Sequence, residues 1–278
     1  MRSGCRHLGF AAAVVATLAW MATATAAAPA PPSAPARAAR VEISADAVTV
    51  DAATRVVRAT GRVAVSDGST TASAGRATLY HREGRVVLSG DARVRAPQGD
   101  LEGQEITVLY TPARITLVVA RGSATLDAEG VLTSARTITI DLQRDVLRAE
   151  PEVTLFTLPD VVARGSRLTY DRRRRLVVLE GRARVQNRDG FLEADRLEGD
   201  RRWEMAVATG GVRGAFRDIE VRSRSGEVFY GEKRAVFVGE VQLTQPGRRL
   251  TSDRITVWYG AGRIVAEGQT SVRLEPQP

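Results

Sequence analysis

Few residues in this chain could do covalent or metal chemistry. Cys5, His7 and His81 are the whole supply of thiol and imidazole. Nucleophilic catalysis by serine needs a histidine between the hydroxyl and an acid, and only His81 lies beyond the N-terminal segment. It stands in His81-Arg82-Glu83-Gly84, a surface-turn composition. No Cys/His spacing suits zinc, and no glycine loop is built to cradle phosphate. Asp46, Asp195 and Asp253 each precede a strand start, where a short carboxylate serves turn backbone groups better than proton transfer. Stacked strands could still bring two carboxylates together, but no pattern selects a pair. The sequence reads as a non-enzyme with no cofactor and no metal.

The charged residues suggest binding instead. The chain has 278 residues and a net charge of +8, and Lys233 is the only lysine among 40 basic residues. The densest run is Arg172-Arg173-Arg174-Arg175, with shorter ones at Arg201-Arg202 and Arg248-Arg249. Each reads first as a solvated hairpin turn. The sharper alternative is a fork-like contact with lipid phosphate or a membrane surface. Aromatics are only 5% and are not interleaved with the basic residues, so nucleic acid is not an expected partner.

The elements that position these residues are strands. Residues 57–65 alternate apolar or small side chains (Val57, Ala59, Gly61, Val63, Val65) with mostly polar ones, the period of a half-buried strand. The nine-residue pattern returns around Gly90, Gly122, Pro151, Gly181, Gly210, Gly239 and Gly268. The intervals are 29, 32, 29, 30, 29, 29 and 29 residues, so one unit occurs eight times. Each unit begins with a shorter apolar strand, such as Ala77-Thr78-Leu79-Tyr80 or Ile255-Thr256-Val257-Trp258-Tyr259, and a turn joins it to the glycine-centred strand. The third unit is expected to carry its three extra residues in the turn at Pro112. The sixth, with Leu197 and Trp203, is the least regular. Two strands in each of eight units predict about sixteen.

A mid-strand glycine weakens a strand, so its recurrence predicts a bend, and the proline has the same meaning. Bent, stacked strands make a trough with alternating apolar residues inside. The predicted lining is Val57, Ala59, Val63, Val86, Leu88, Val118, Ala120, Leu147, Val177, Leu179, Phe237 and Ile264, which could equally pack on one another as a closed core.

The N-terminus reads as an export signal over residues 1–28. Arg2 and Arg6 precede an apolar stretch, and Ala24-Thr25-Ala26 offers a cleavage site. The same stretch is just long enough to remain as a membrane anchor. Residues 29–40 are an Ala/Pro linker. Removal of the signal would remove Cys5, leaving a chain held by packing and hydrogen bonds alone.

Val41-Glu42-Ile43-Ser44-Ala45-Asp46 followed by residues 57–65 resembles the opening repeat of the LptA/OstA-like family of periplasmic lipopolysaccharide-transport proteins. Val86-Val87-Leu88-Ser89-Gly90-Asp91-Ala92 and Leu250-Thr251-Ser252-Asp253-Arg254-Ile255-Thr256 carry further family phrases, and the resemblance spans residues 41–274. It implies an all-β, elongated β-jellyroll of V-shaped antiparallel strands whose apolar groove takes lipid A acyl chains. The chain departs from the bridge protein of that family in its longer units, greater length and abundant arginine.

The function this implies is a periplasmic bridge carrying lipopolysaccharide from inner to outer membrane. The implied partners are other jellyrolls of the pathway, met through terminal strand edges, or a second copy of this chain head to tail. An inner-membrane-anchored LptC-type component is one alternative. A β-helical adhesin or scaffold is another, although such coils run shorter than these units.

Overall fold

The computed structural model describes residues 42–66, 69–112, 114–157 and 160–274. The signal and linker expected at 1–28 and 29–40, with Cys5 and His7, lie outside the described residues. The chain divides into two compact units, residues 1–129 with 137–144 and residues 130–136 with 145–278.

The first unit contains β1 (Glu42–Ser44), β2 (Ala47–Asp51), β3 (Val56–Ser66), β4 (Thr71–Tyr80), β5 (Arg85–Ala96), β6 (Gly99–Tyr110) and β7 (Ile115–Ala128). β8 (Val131–Asp141) gives its first half to the second unit and its second half to the first. The second unit continues with β9 (Val146–Glu150), β10 (Val153–Thr157), β11 (Val161–Gly165), β12 (Arg167–Asp171) and β13 (Leu176–Asn187). It ends with β14 (Gly190–Gly199), β15 (Met205–Phe216), β16 (Ile219–Phe229), β17 (Arg234–Gln245), β18 (Arg248–Trp258), β19 (Arg263–Glu267) and β20 (Ser271–Leu274). Successive strands pair antiparallel, as in β3–β4, β5–β6 and β16–β17. The only helical segment among the described residues is one 3-10 turn, His81–Glu83. The fold is an all-β jellyroll.

The sixteen expected strands become twenty because four are interrupted at the bend. β1/β2, β9/β10, β11/β12 and β19/β20 are each one repeat strand in two pieces, and the remaining twelve run through. The bend is a bulge on the glycine-centred strand. Between the pairs Glu102↔Thr125 and Glu105↔Arg121, β7 spends one residue more than β6. An extra residue on one strand bends it and tightens its twist. Gly61 has φ +74° and the following Arg62 +47°, two left-handed residues in succession. A Cβ on Gly61 would also fall on the Asp46 carboxylate across the ladder, so glycine is required twice over. In the fourth repeat a cis Glu150–Pro151 bond followed by left-handed Glu152 occupies the same place.

Three expectations about the repeat need correction. The first strand of each unit is the shorter one by only one or two residues and reaches further back than expected: β4 starts at Thr71 rather than Ala77, and β16 has 11 residues against 12 in β17. Its inward residues step by three across the bend, as in Leu192, Ala194, Leu197 or Ala135, Ile138, all under 9% exposed. That step breaks a period of two and hides half the strand. On the glycine strand the bulge makes the step four, as in Leu179 to Ala183, so the period survives. The three extra residues of the third unit do not lengthen the turn at Pro112, because β6 and β7 are separated by four residues, like β4 and β5. They lengthen the strands, and β7 reaches 14 residues. The sixth unit is as regular as its neighbours, with β14 and β15 paired from Gly199↔Ala206 to Gly190↔Phe216.

Candidate functional site

The inward residues line up across strands into apolar rows. In the first unit the register links Val50, Val57, Leu79, Val86, Val108 and Val118. A parallel row joins Val48, Ala59, Ala77, Leu88, Ile106 and Ala120. In the second unit Ala149, Leu168, Leu179, Leu197, Ala208, Gly226, Phe237 and Ile255 form one row by direct pairing. Another runs from Leu147 through Tyr170, Val177, Gly199 and Ala206 to Val257 and Ile264. Neighbouring side chains in such rows stand about 5 Å apart, close enough for a continuous hydrocarbon surface.

Eleven of the twelve residues predicted to line the interior lie on these rows, and Val63, beyond the bulge, pairs with Ala74. Ala59, Val63, Leu88, Val118, Ala120, Val177, Leu179 and Phe237 are buried, while Val57, Val86, Leu147 and Ile264 are half-buried. The rows are not uniform along their length. Val48 and Val50 on β2 are 55% and 66% exposed, and Val272 and Leu274 on β20 are 59% and 75% exposed. Away from β2 and β20 the inward residues pack on their neighbours, whereas those two strands present apolar side chains to water.

The second unit has a feature that periodicity did not predict. Trp203 and Tyr259 lie in the turns after β14 and β18, yet each is only 1% exposed. Phe216, at the far end of β15, stacks on Tyr259 at 4.9 Å and tilts against Phe237 at 6.3 Å. Tyr259 belongs to one turn margin and Phe216 to the opposite one, so the stack bridges the two margins of the unit. Inward glycines make room: a Cβ on Gly199 would strike the Trp203 ring, on Gly214 the Phe216 ring, and on Gly226 the Phe237 ring. Such aromatic–glycine pairing was the available sequence signal. Burial pushes the Tyr259 phenol up to about 12, with the nearby Asp189 carboxylate adding to the rise. Burial raises Tyr230 as well.

Arginines decorate the turn margin. Arg85 lies 4.0 Å over Tyr80, Arg234 4.1 Å over Phe229 and Arg263 4.9 Å over Trp258, the same offset across three equivalent turns. The run Arg172-Arg173-Arg174-Arg175 does form a turn, but not a simply solvated one: Arg172 and Arg173 pair with Asp145, and Arg174 with Asp171. Arg201 lies 5.8 Å over Tyr170, and burial lowers its pKa. Arg248 donates to Gln245.

The three aspartates sit at bends rather than at turns. Asp46 receives Arg62 at 2.8 Å, Asp253 accepts the backbone N–H of Gln269 at 2.8 Å, and Asp195 faces Gly210. Asp46 thus serves an arginine and Asp253 the backbone, both at the bulge. His81 begins the 3-10 turn after β4. Among the described residues no three His, Cys, Asp or Glu side chains are grouped to hold a metal. No helix there is long and apolar enough to cross a membrane.

The search of curated proteins found no match. Among solved structures, the chain is similar to LptH of Pseudomonas aeruginosa, described as the LptA-homologous periplasmic component of the lipopolysaccharide transport device. That likeness has 14% identity and a TM-score of 0.35 over 51% of this chain and 82% of the other. The family model described as LptA/(LptD N-terminal domain) LPS transport protein matches residues 42–204, more than half of the sequence. With its bulged repeats and rows of inward apolar side chains, the chain belongs to the LptA/LptD N-terminal-domain family.

Proposed function

We propose that this chain is a periplasmic lipopolysaccharide carrier that moves its ligand between the two membranes by burying acyl chains along the inward rows. The supporting observation is the unbroken register of apolar residues in each unit, free of any metal cluster among the described residues. An acyl chain that displaces packed Val and Leu side chains exchanges one apolar contact for another, and each methylene removed from water contributes about 0.8 kcal/mol. No fixed hydrogen bond has to break as the chain slides. The exposed apolar residues of β1–β2 and β20 suit a second role. Val48 and Val50 lie on a strand that pairs, among the described residues, only with β3. A strand of another jellyroll, or of a second copy, adds to such an edge by main-chain hydrogen bonds.

A photoreactive residue at Leu88 or Leu179 should crosslink to lipopolysaccharide in cells, while one at the outward position Arg93 should not. Equal labelling inside and outside, or none at all, would remove the carrier reading. Mass spectrometry of the mature N-terminus separates a cleaved bridge from an anchored component.

A further inference from the structure

The aromatic closure of the second unit carries unused hydrogen-bonding capacity. Trp203 Nε1, Tyr230 Oη and Tyr259 Oη are each buried and bonded to no group among the described residues. Such groups are uncommon in a well-packed interior and call for a partner. They come from three successive turns of one margin, and the Tyr230 N–H bonds to Glu204 O at 2.9 Å, which holds the second turn against the first. The Tyr259 phenol lies close enough to Tyr230 to add to the rise that burial gives it. Beside them, Asp189 belongs to a solvent-open hollow of about 370 Å³ lined by Asn187, Arg188, Phe191 and Arg217.

The chemistry of this set narrows its ligand. An indole N–H donates only, and each phenol donates one proton, so the ligand must supply acceptors. The Asp189 field at Tyr259 disfavours a second negative charge there. A neutral carbonyl satisfies both conditions. The flanking Phe216, Phe237 and Tyr259 rings suit the hydrocarbon attached to it, and the polar hollow suits a hydroxylated group on its other side.

We propose that Trp203, Tyr230 and Tyr259 form a gated binding site for the ester or amide carbonyl that joins an acyl chain to a sugar. In the free chain Tyr259 lies on Phe216 and closes the site. When a ligand arrives the ring turns aside, the hydrocarbon takes its place against Phe216 and Phe237, and the freed donors take the carbonyl. The site selects acylated sugars over simple alkyl amphiphiles. This rests on the carrier reading and adds to it a point of chemical recognition.

Two nonionic probes with a disaccharide head and a dodecyl-length chain test it: sucrose monolaurate, which has an ester carbonyl, and dodecyl maltoside, which has none. Titrated into the full chain below micelle formation, the ester should bind about tenfold more tightly, the effect of one or two neutral hydrogen bonds. Tyr230→Phe/Tyr259→Phe keeps the rings and should bring the two affinities together by weakening binding of the ester. Thermal unfolding at neutral pH verifies that the variant is folded, and Trp203→Phe alone provides a second readout of the same ratio. Equal affinities in the unaltered chain, or a ratio that neither variant changes, would overturn the site and leave the carrier reading standing. Binding of neither probe would overturn both.

Discussion

Two regions of the repeat array, one in each unit, treat inward positions in opposite ways. On β2 these are Val48 and Val50, more than half exposed. Around β15–β18 they are Phe216, Phe237, Tyr259 and Trp203, none more than 1% exposed. Both regions use the same bulge with paired left-handed residues, Gly61-Arg62 in one and Gly210-Gly211 in the other. The backbone device is thus constant, and the side chains placed on it decide whether the interior is open or shut.

The largest test of that difference is truncation. Phe237→Ala should cost about 3–5 kcal/mol, read by denaturant unfolding of the second unit, whereas Val50→Ala should change stability by no more than about 0.5 kcal/mol. Similar costs at the two positions would break the comparison. The shared bulge supplies the next test. Gly61→Ala and Gly210→Ala should each exceed the roughly 1–2 kcal/mol of a left-handed alanine, because each new methyl also displaces an aspartate, Asp46 or Asp195. Gly262→Ala, where φ is +66° and no atom lies within 4 Å, should show the backbone cost alone.

A third test uses pH. In the unfolded chain Tyr259 ionises near 10, but in the folded chain it holds its proton to about 12. Between those values the unfolded state binds fewer protons, so folding stability is fully present below pH 10 and is lost as pH rises toward 12. The slope is about 1.4 kcal/mol per pH unit for each such tyrosine. Unfolding midpoints between pH 9.5 and 11.5, a range set around the roughly 10 of a free phenol, should fall in the unaltered chain and flatten in Tyr230→Phe/Tyr259→Phe. The smallest stability effect belongs to the open end. Val48→Asp/Val50→Asp should leave unfolding within about 0.5 kcal/mol yet abolish concentration-dependent association in sedimentation. Association that survives the charges would remove the edge from the proposed docking role.

Much of this organisation is legible in the sequence. The nine-residue pattern survives translation into structure because the bulge adds one residue, turning an inward step of three into four and keeping the period even. Its partner strand lacks that residue, so the halves before Ala77 or Leu197 escaped notice although they pair along their full length. The twelve interior positions were legible for the same reason. The burial of Trp203 and Tyr259 was not, because both were read as part of an apolar strand, whereas they lie in turns where only packing over Gly199 and against Phe216 draws the rings inward. The aspartates were expected to serve turn backbone groups; Asp253 does accept a backbone N–H and Asp46 takes an arginine instead, both at bulges, since nothing local distinguishes a bulge from a turn.

The nearly constant interval between bends has an evolutionary consequence. A 29-residue unit that starts and finishes at equivalent points of the ladder can be duplicated or lost as a cassette. Every junction is then an existing junction, with the same pairing and the same inward phase. Each copy gained would lengthen the path by two strand spacings, roughly 10 Å. Gene duplication could therefore adjust the reach of such a protein to the distance it must cover without redesigning any contact.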